Sequence, residues 1–195
     1  MARHDCSRSV LDDRKFISDK RRNRKQYMTE MVEKTEAKMQ KPLLWLFLSF
    51  VVITLDQITK FWAERALGGG VVIPVLPVLD FGLAYNTGAA FSFLADAGGW
   101  QKTFFSVIAI GMSVYLTYAI SQAKVSEKQL VVAYSLVIGG AIGNLLDRLR
   151  IDKVVDFIHV FYQDWHFPYF NVADMAITFG AIFLILEAFN FKILR

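Results

Sequence analysis

The sequence predicts an all-α membrane protein. It has four transmembrane helices, both termini cytoplasmic, and a small β-rich cradle on the outer, periplasmic face between the first and second helices. Three observations carry that prediction. Hydrophobic residues fill 54% of the 195 positions and charged residues only 21%, which excludes disorder and a disulfide scaffold and disfavours an ordinary soluble domain. Four long stretches are almost free of charge. The basic excess is confined to one end of the chain.

That end comes first in the chain. The net charge of +4 resolves into residues 1–42, with 12 Lys/Arg against 7 Asp/Glu, and a remainder with 10 against 11. A segment so poor in apolar side chains cannot bury enough surface to offset its ordering entropy. Residues 1–41 are therefore expected to be a basic cytoplasmic tail, flexible or loosely helical. Its run Lys20-Arg21-Arg22 with Arg24-Lys25 attracts polyanions. The polyanion expected is an anionic bilayer leaflet, because no RNA or DNA motif follows and no nucleic-acid partner is expected. Cys6 is the only cysteine, so no intramolecular disulfide forms.

The membrane domain, 42–195, begins with Leu43–Phe61, which opens on 13 uncharged residues before Asp56. The 42-residue basic region before it, and the lack of a small-x-small site after it, make it a permanent anchor instead of a cleaved signal. The connection 67–102 holds 7 of the 12 glycines and two of the four prolines. Its short β-prone runs Val71–Ile73, Val75–Leu79, Phe81–Tyr85 and Ala90–Leu94 read as the outer β-cradle. Thr103–Ala123 is 21 residues without a charge and Gln129–Leu146 is 18, close to the ~20 apolar residues that cross a bilayer. Between them Ser121–Lys128 is a plain polar turn. The connection 148–169 carries Phe157, Phe161, Tyr162, Trp165, Phe167 and Tyr169 and is expected to be a loop resting in the interface. The fourth span, Phe170–Phe189, contains the 12-residue uncharged run Met175–Leu186. With the tail inside, 16 Lys/Arg lie on the inner side and 6 on the outer, which sets the orientation.

Charged and amide side chains in such a chain require a reason, since an acid at mid-bilayer costs about 2.5–3.5 kcal/mol. Asp56 and Lys60 are i,i+4 with the acid first, the favourable order for a helical pair. They either anchor the outer end of the first helix or form a platform for a polar site. Gly139 and Gly143 form a G-x-x-x-G pair suited to close helix packing. Asn144 and Arg148 share a helix face, either to hold a phosphate or carbonyl or as a packed amide with a snorkelling Arg. Asp156 stands alone in Val154-Val-Asp-Phe-Ile158 and is either paired or working. Asp174 lies three residues after Asn171, which matches a helix cap. Both acids also fall on the outer face. Two carboxylates meeting there could divide one proton, the ionised one activating water and the protonated one serving a peptide carbonyl. No nucleophile elbow, Walker loop or His-Glu-x-x-His is present. His159 and His166, with Asp164 near, match no common ligand spacing, so no metal is expected.

Five stretches in order are Asp56-Gln-Ile-Thr-Lys60, Asn86-Thr-Gly-Ala-Ala-Phe91, Gly139-Gly-Ala-Ile-Gly-Asn-Leu-Leu-Asp-Arg148, Val154-Val-Asp-Phe-Ile158 and Phe170-Asn-Val-Ala-Asp174. On these the chain resembles the bacterial lipoprotein signal peptidases (signal peptidase II), polytopic aspartic endopeptidases, over about 42–191. The resemblance implies that Asp156 and Asp174 are the catalytic dyad. It implies that Asn86, Gly88, Asn144, Arg148 and Asn171 line or brace the substrate site, with Asp56 and Lys60 supporting it. It further implies prolipoprotein substrates cut just before a diacylglyceryl-modified cysteine, inhibition by globomycin-type peptides, no cofactor, and residence in the bacterial inner membrane with the site facing the periplasm. The basic tail departs from the family pattern, and a start at Met28, Met31 or Met39 would shorten it. The readings from other classes are a small four-helix transporter or proton relay, and a structural membrane anchor.

Overall fold

The computed structural model describes residues 20–33, 37, 41–87 and 100–194. The chain divides into two compact units, residues 1–40 with 124–126, and residues 41–123 with 127–195. In the first unit residues 20–33 are helical and exposed along their length. The second unit holds every other element described below.

A short 3₁₀ turn, Pro42–Trp45, leads into α1, Leu46–Ala66. The remaining helices are α2, Trp100–Gln122, α3, Lys128–Ile151, and α4, Val172–Ala188. Among the described residues, three helical segments, Pro42–Ala66, Trp100–Gln122 and Val125–Ile151, are long and apolar enough to cross a membrane. The fourth helix is present where the sequence placed it, but it has 17 residues. At ~1.5 Å per residue it reaches about 25 Å, against about 30 Å for a hydrocarbon core. It is shorter than expected because Phe170 and Asn171 are spent on a β-bridge and a helix cap. Large apolar side chains such as Phe47, Phe50, Ile58, Val107, Val114 and Phe179 face outward, an inversion that suits lipid and not water.

Helix α3 lies at the centre of the helical layer, and its glycines explain why. A Cβ on Gly139 would lie 2.7 Å from Val52 Cβ and 3.0 Å from the Ser49 carbonyl on α1. One on Gly140 would collide with the Ala173 carbonyl of α4. Across the same contact a Cβ on Gly180 would lie 2.9 Å from the Ala133 carbonyl. The small-residue faces thus bring backbones together on both sides of α3, and Ser49 Oγ donates to the Ser135 carbonyl at 2.7 Å across one of them. Gly140→Ala is expected to destabilise the fold by about 1–3 kcal/mol through overpacking, seen as a lowered Tm in detergent. Gly111→Ala, in open space within α2, is expected not to lower Tm and to raise it slightly, since Ala is the better helix former.

The sheet is larger than the sequence suggested. After α1 the chain turns through Gly69 (φ 77°) and Gly70 (φ 84°), left-handed conformations that favour glycine. It then forms β1, Ile73–Leu76, and β2, Leu79–Asn86. The connection after α3, expected as an interfacial loop, instead supplies β3, Val154–Tyr162, and β4, Trp165–His166. The four strands run antiparallel in the order β1-β2-β3-β4. β2 has unpaired backbone groups along one edge until β3 covers them, and Val154-Val155 and Phe157-Ile158 have the branched and aromatic side chains that strands favour. The run Ala90–Leu94 lies outside the described residues. Trp62 of α1 packs edge-on against Phe81 and Phe157, at 5.6 and 6.3 Å between ring centroids. With buried Ala63 and Leu67 this cluster seats the sheet on the C-terminal end of α1.

Candidate active site

The sheet and three helix ends converge on one polar cluster. Asp156 comes from β3, Asn171 and Asp174 from the start of α4, Asn144 from the last turns of α3, and Asp56 and Lys60 from α1. The register that pairs Ala84 with Asp156 brings Asn86 of β2 close enough to hydrogen-bond the Asp156 carboxyl.

Asn171 joins the two candidate catalytic acids. Its backbone N–H donates to Asp174 Oδ2 at 3.2 Å, and its side-chain Oδ1 accepts from the Asp174 N–H at 2.9 Å. That is the capping arrangement the sequence suggested, complete in both directions. The Asn171 Nδ2 group lies 2.6 Å from Asp156 Oδ1 and 3.2 Å from both Asn144 Oδ1 and the Val155 carbonyl. With two hydrogens among three acceptors, it is held between the acids and buried completely. Capping and site-building are thus one geometry in these residues.

Behind this pair lies a buried ionic layer. Asn144 Nδ2 donates to Asp174 Oδ1 at 2.8 Å, while Asn144 Oδ1 accepts from Lys60 Nζ at 2.9 Å. Lys60 also meets Asp56 Oδ2 and Asp147 Oδ2, each at 2.9 Å, and all three charged residues are at most 1% exposed. The Asp56–Lys60 pair is therefore interior, not a surface anchor at a helix end. Each acid has a second task. Asp56 Oδ1 accepts from the Ala173 N–H at 2.9 Å, and Asp147 Oδ2 accepts from the Val155 N–H at 3.1 Å. These two backbone bonds fix the residues next to Asp174 and Asp156. Gly143 leaves room for this layer, since a Cβ there would lie 2.6 Å from Asp56 Oδ2.

Burial, joined by the negative charge of Asp174, pushes the Asp156 carboxyl up to about 7, against the opposing hydrogen bonds from Asn86 and Asn171 and the more distant charge of Lys60. Asp174 is differently placed, with both carboxylate oxygens accepting from amides. A proton can thus reside on Asp156 near neutrality.

Of the residues singled out in the sequence, Asp56, Lys60, Asn86, Asn144, Asn171, Asp156 and Asp174 are brought into one network. Arg148 borders it: Nη1 donates to the Asn144 carbonyl at 3.4 Å, the guanidinium lies 5.1 Å from the Phe105 ring, and its charge acts on Asp174, Asp156 and Asp147. Gly88 lies outside the described residues. The sequence reading passed over Asp147 and Gln57. Gln57 Nε2 lies 3.2 Å from Asp56 Oδ2, 3.1 Å from the Gly143 carbonyl and 3.3 Å from Asp147 Oδ1. Asp147 carried a readable signal: an acid in the last turns of a helix opposes the helix dipole, so its presence requires a cation elsewhere. Among the described residues no three His, Cys, Asp or Glu side chains are arranged to hold a metal ion.

Comparison with known proteins gives concordant matches. The model of the family described as Signal peptidase (SPase) II matches residues 48–190. A lipoprotein signal peptidase of Acinetobacter baumannii (strain ATCC 17978) is 49% identical over 147 residues, covering 75% of this chain and 84% of that protein. One from Coxiella burnetii (strain Dugway 5J108-111) is 48% identical over 149 residues, covering 76% and 91%. A solved structure described as a bacterial membrane enzyme structure by the in meso method at 2.3 Å resolution superposes with a TM-score of 0.69 at 30% identity, covering 82% of this chain and 98% of that one.

Proposed function

The chain belongs to the signal peptidase II family, and we propose that Asp156 and Asp174 are the aspartate dyad with which it cuts prolipoproteins just before a diacylglyceryl-modified cysteine. Family membership makes the protein a peptidase and leaves the transporter and anchor readings without support. The observation that supports the dyad is the single residue Asn171, hydrogen-bonded to both carboxylates at once.

The chemistry follows from the two environments. Asp174, ionised, takes a proton from a water that attacks the scissile carbonyl carbon. Asp156, protonated, gives its proton to the carbonyl oxygen, so a neutral gem-diol forms with no free oxyanion. The C–N bond then breaks as Asp174 passes its proton to the departing amine, and a diol hydroxyl returns a proton to Asp156. Both acids end as they began. Asn144 and Asn171 hold the dyad in register, and Lys60 holds Asn144.

The acyl chains of the substrate stay in the bilayer, which requires the carboxylates to stand at the membrane surface. All four helices cross the membrane, both termini lie in the cytoplasm, and the sheet and dyad face the periplasmic side of the bacterial inner membrane. The Lys/Arg asymmetry of 16 against 6 supports this orientation. Globomycin-type peptides inhibit by occupying the dyad.

Incubating the purified protein with a diacylglyceryl-prolipoprotein, with and without such an inhibitor, tests the function. A released signal peptide that the inhibitor suppresses is expected; no product would refute the assignment. The pH profile tests the proton inventory. Because the active form carries the proton on Asp156, whose carboxyl titrates near 7, kcat/KM is expected to fall above that pH by about tenfold per unit. A flat profile to pH 9 would remove Asp156 as the acid.

A further inference from the structure

The helical stretch 20–33 plays no part in the dyad, and its surface has a chemistry of its own. It is exposed along its whole length, and an isolated helix of about this length is marginal in water unless an amphipathic face finds something to pack against. Tyr27, Met28, Met31 and Val32 are 61, 56, 46 and 58% exposed. At spacings of one, three and four they share one face. Lys20, Arg21 and Arg24 continue that face toward the N-terminus by the same spacings. Glu30 and Glu33 fall on the opposite face with Gln26 and Thr29. The polar face is satisfied within the helix, since Gln26 Nε2 donates to Glu30 Oε1 and Thr29 Oγ1 to the Lys25 carbonyl, each at 3.0 Å. The other face, cations followed by apolar side chains, has the composition that meets a surface both anionic and partly apolar.

A backbone contact says where such a surface would be met. The Val125 N–H donates to the Ala37 carbonyl at 2.9 Å. From Glu33 to Ala37 the chain spans at most about 14 Å. Residues 124–126 join α2 to α3 in the chain, so this hydrogen bond ties the helix to the membrane face that their connection occupies. In the orientation proposed above that face is the inner leaflet, where anionic lipids attract basic segments. We propose that residues 20–33 are an interfacial helix that lies on anionic phospholipid. Lys20, Arg21 and Arg24 meet the headgroup phosphates, and Tyr27, Met28, Met31 and Val32 insert at the acyl boundary. Nucleic acid would engage the same cations but leave four apolar side chains in water, whereas a bilayer offers an apolar layer ~5–10 Å beneath its charges. The proposal is independent of the peptidase reading, because no residue of the dyad network takes part.

The test uses the full chain in lipid nanodiscs, which expose both leaflets, so the result does not depend on which side the tail occupies. Cys6 is the only cysteine, so a Cys6→Ser background accepts a single environment-sensitive fluorophore. It is attached at Met28→Cys or Met31→Cys on the proposed lipid face, or at Gln26→Cys on the opposite one. In nanodiscs containing phosphatidylglycerol, spin-labelled lipid is expected to quench the label at 28 and 31 at least about twofold more than at 26, because only the first face inserts. In pure phosphatidylcholine that difference is expected to fall by at least about half, and likewise in 1 M salt, where the Debye length is ~3 Å. Arg21→Glu with Arg24→Glu is expected to reduce it in the same direction, as is Arg21→Gln with Arg24→Gln, which preserves helix propensity. Equal quenching on the two faces in anionic nanodiscs overturns the proposal, and so does a difference that is the same in both lipids. A spectral shift produced by an RNA oligonucleotide and not by anionic nanodiscs assigns the face to nucleic acid and also overturns it.

Discussion

Replacing Asp156 or Asp174 with Asn is expected to reduce cleavage of a lipid-modified precursor by at least about 10³-fold, because each variant removes one of two proton transfers in the same transition state. Loss of fold cannot account for that result at Asp156, since Asn keeps an oxygen for the 2.6 Å bond from Asn171 Nδ2. The variant should in fact be more stable than the wild type in alkali. The unfolded carboxyl ionises near 3.8 and the native one near 7. The native state therefore loses stability, relative to the unfolded chain, as pH rises between those values, and loses no more above them. Asp156→Asn escapes that loss. Its Tm in detergent is expected to exceed the wild-type value at pH 8, by up to about 4 kcal/mol in stability, and to converge on it at pH 4. An inactive Asp156→Asn that is also less stable at pH 8 would contradict the burial of an opposed charge at this site. Normal turnover by either variant would sink the dyad.

Lys60→Met is expected to be the most destabilising single change in the polar layer. It leaves Asp56 and Asp147, both fully buried, facing each other without the ammonium that now lies 2.9 Å from each. Breaking a buried pair by removing one partner costs about 3–5 kcal/mol, and here two acids lose the same partner. Activity is expected to fall as well, since Asn144 loses the donor that orients its amide toward Asp174. Neutralising the stranded acids provides the discriminating control. Lys60→Met combined with Asp56→Asn and Asp147→Asn is expected to recover most of the stability, because no unpaired charge remains. A Lys60→Met protein with wild-type Tm would show that the three residues are not the coupled ionic layer described here.

Some of this is legible in the sequence. Charge-free runs of sufficient length marked the helices, because lipid tolerates few charges over ~20 residues. Gly139 and Gly143 marked a packing face, and the spacing of Asn171 and Asp174 marked a helix start. The members of the polar network other than Asp147 and Gln57 were legible because charged and amide side chains stand out in an apolar chain. What failed was the 148–169 connection. Aromatic composition described its surroundings, but strand formation depended on an open edge of β2, a partner about 75 residues away. The length of α4 was overestimated because apolar character continues through Phe170, whose backbone pairs with Ile158.

Sequence alone therefore determined the membrane class, the helix positions and which acids stand out in an apolar chain. All are properties of local composition, set by what lipid and water each accept over one or two helical lengths. Only the tertiary structure decided how those acids are used. It put Asp147 on Lys60, set Asn171 between Asp156 and Asp174, and gave the two carboxylates unlike surroundings. Those outcomes depend on which distant backbones meet, and a proton's position depends on charges and hydrogen bonds within a few ångströms. Residues 56, 60, 86, 144, 156, 171 and 174 become one electrostatic unit only when α1, α3, α4 and the sheet close around them.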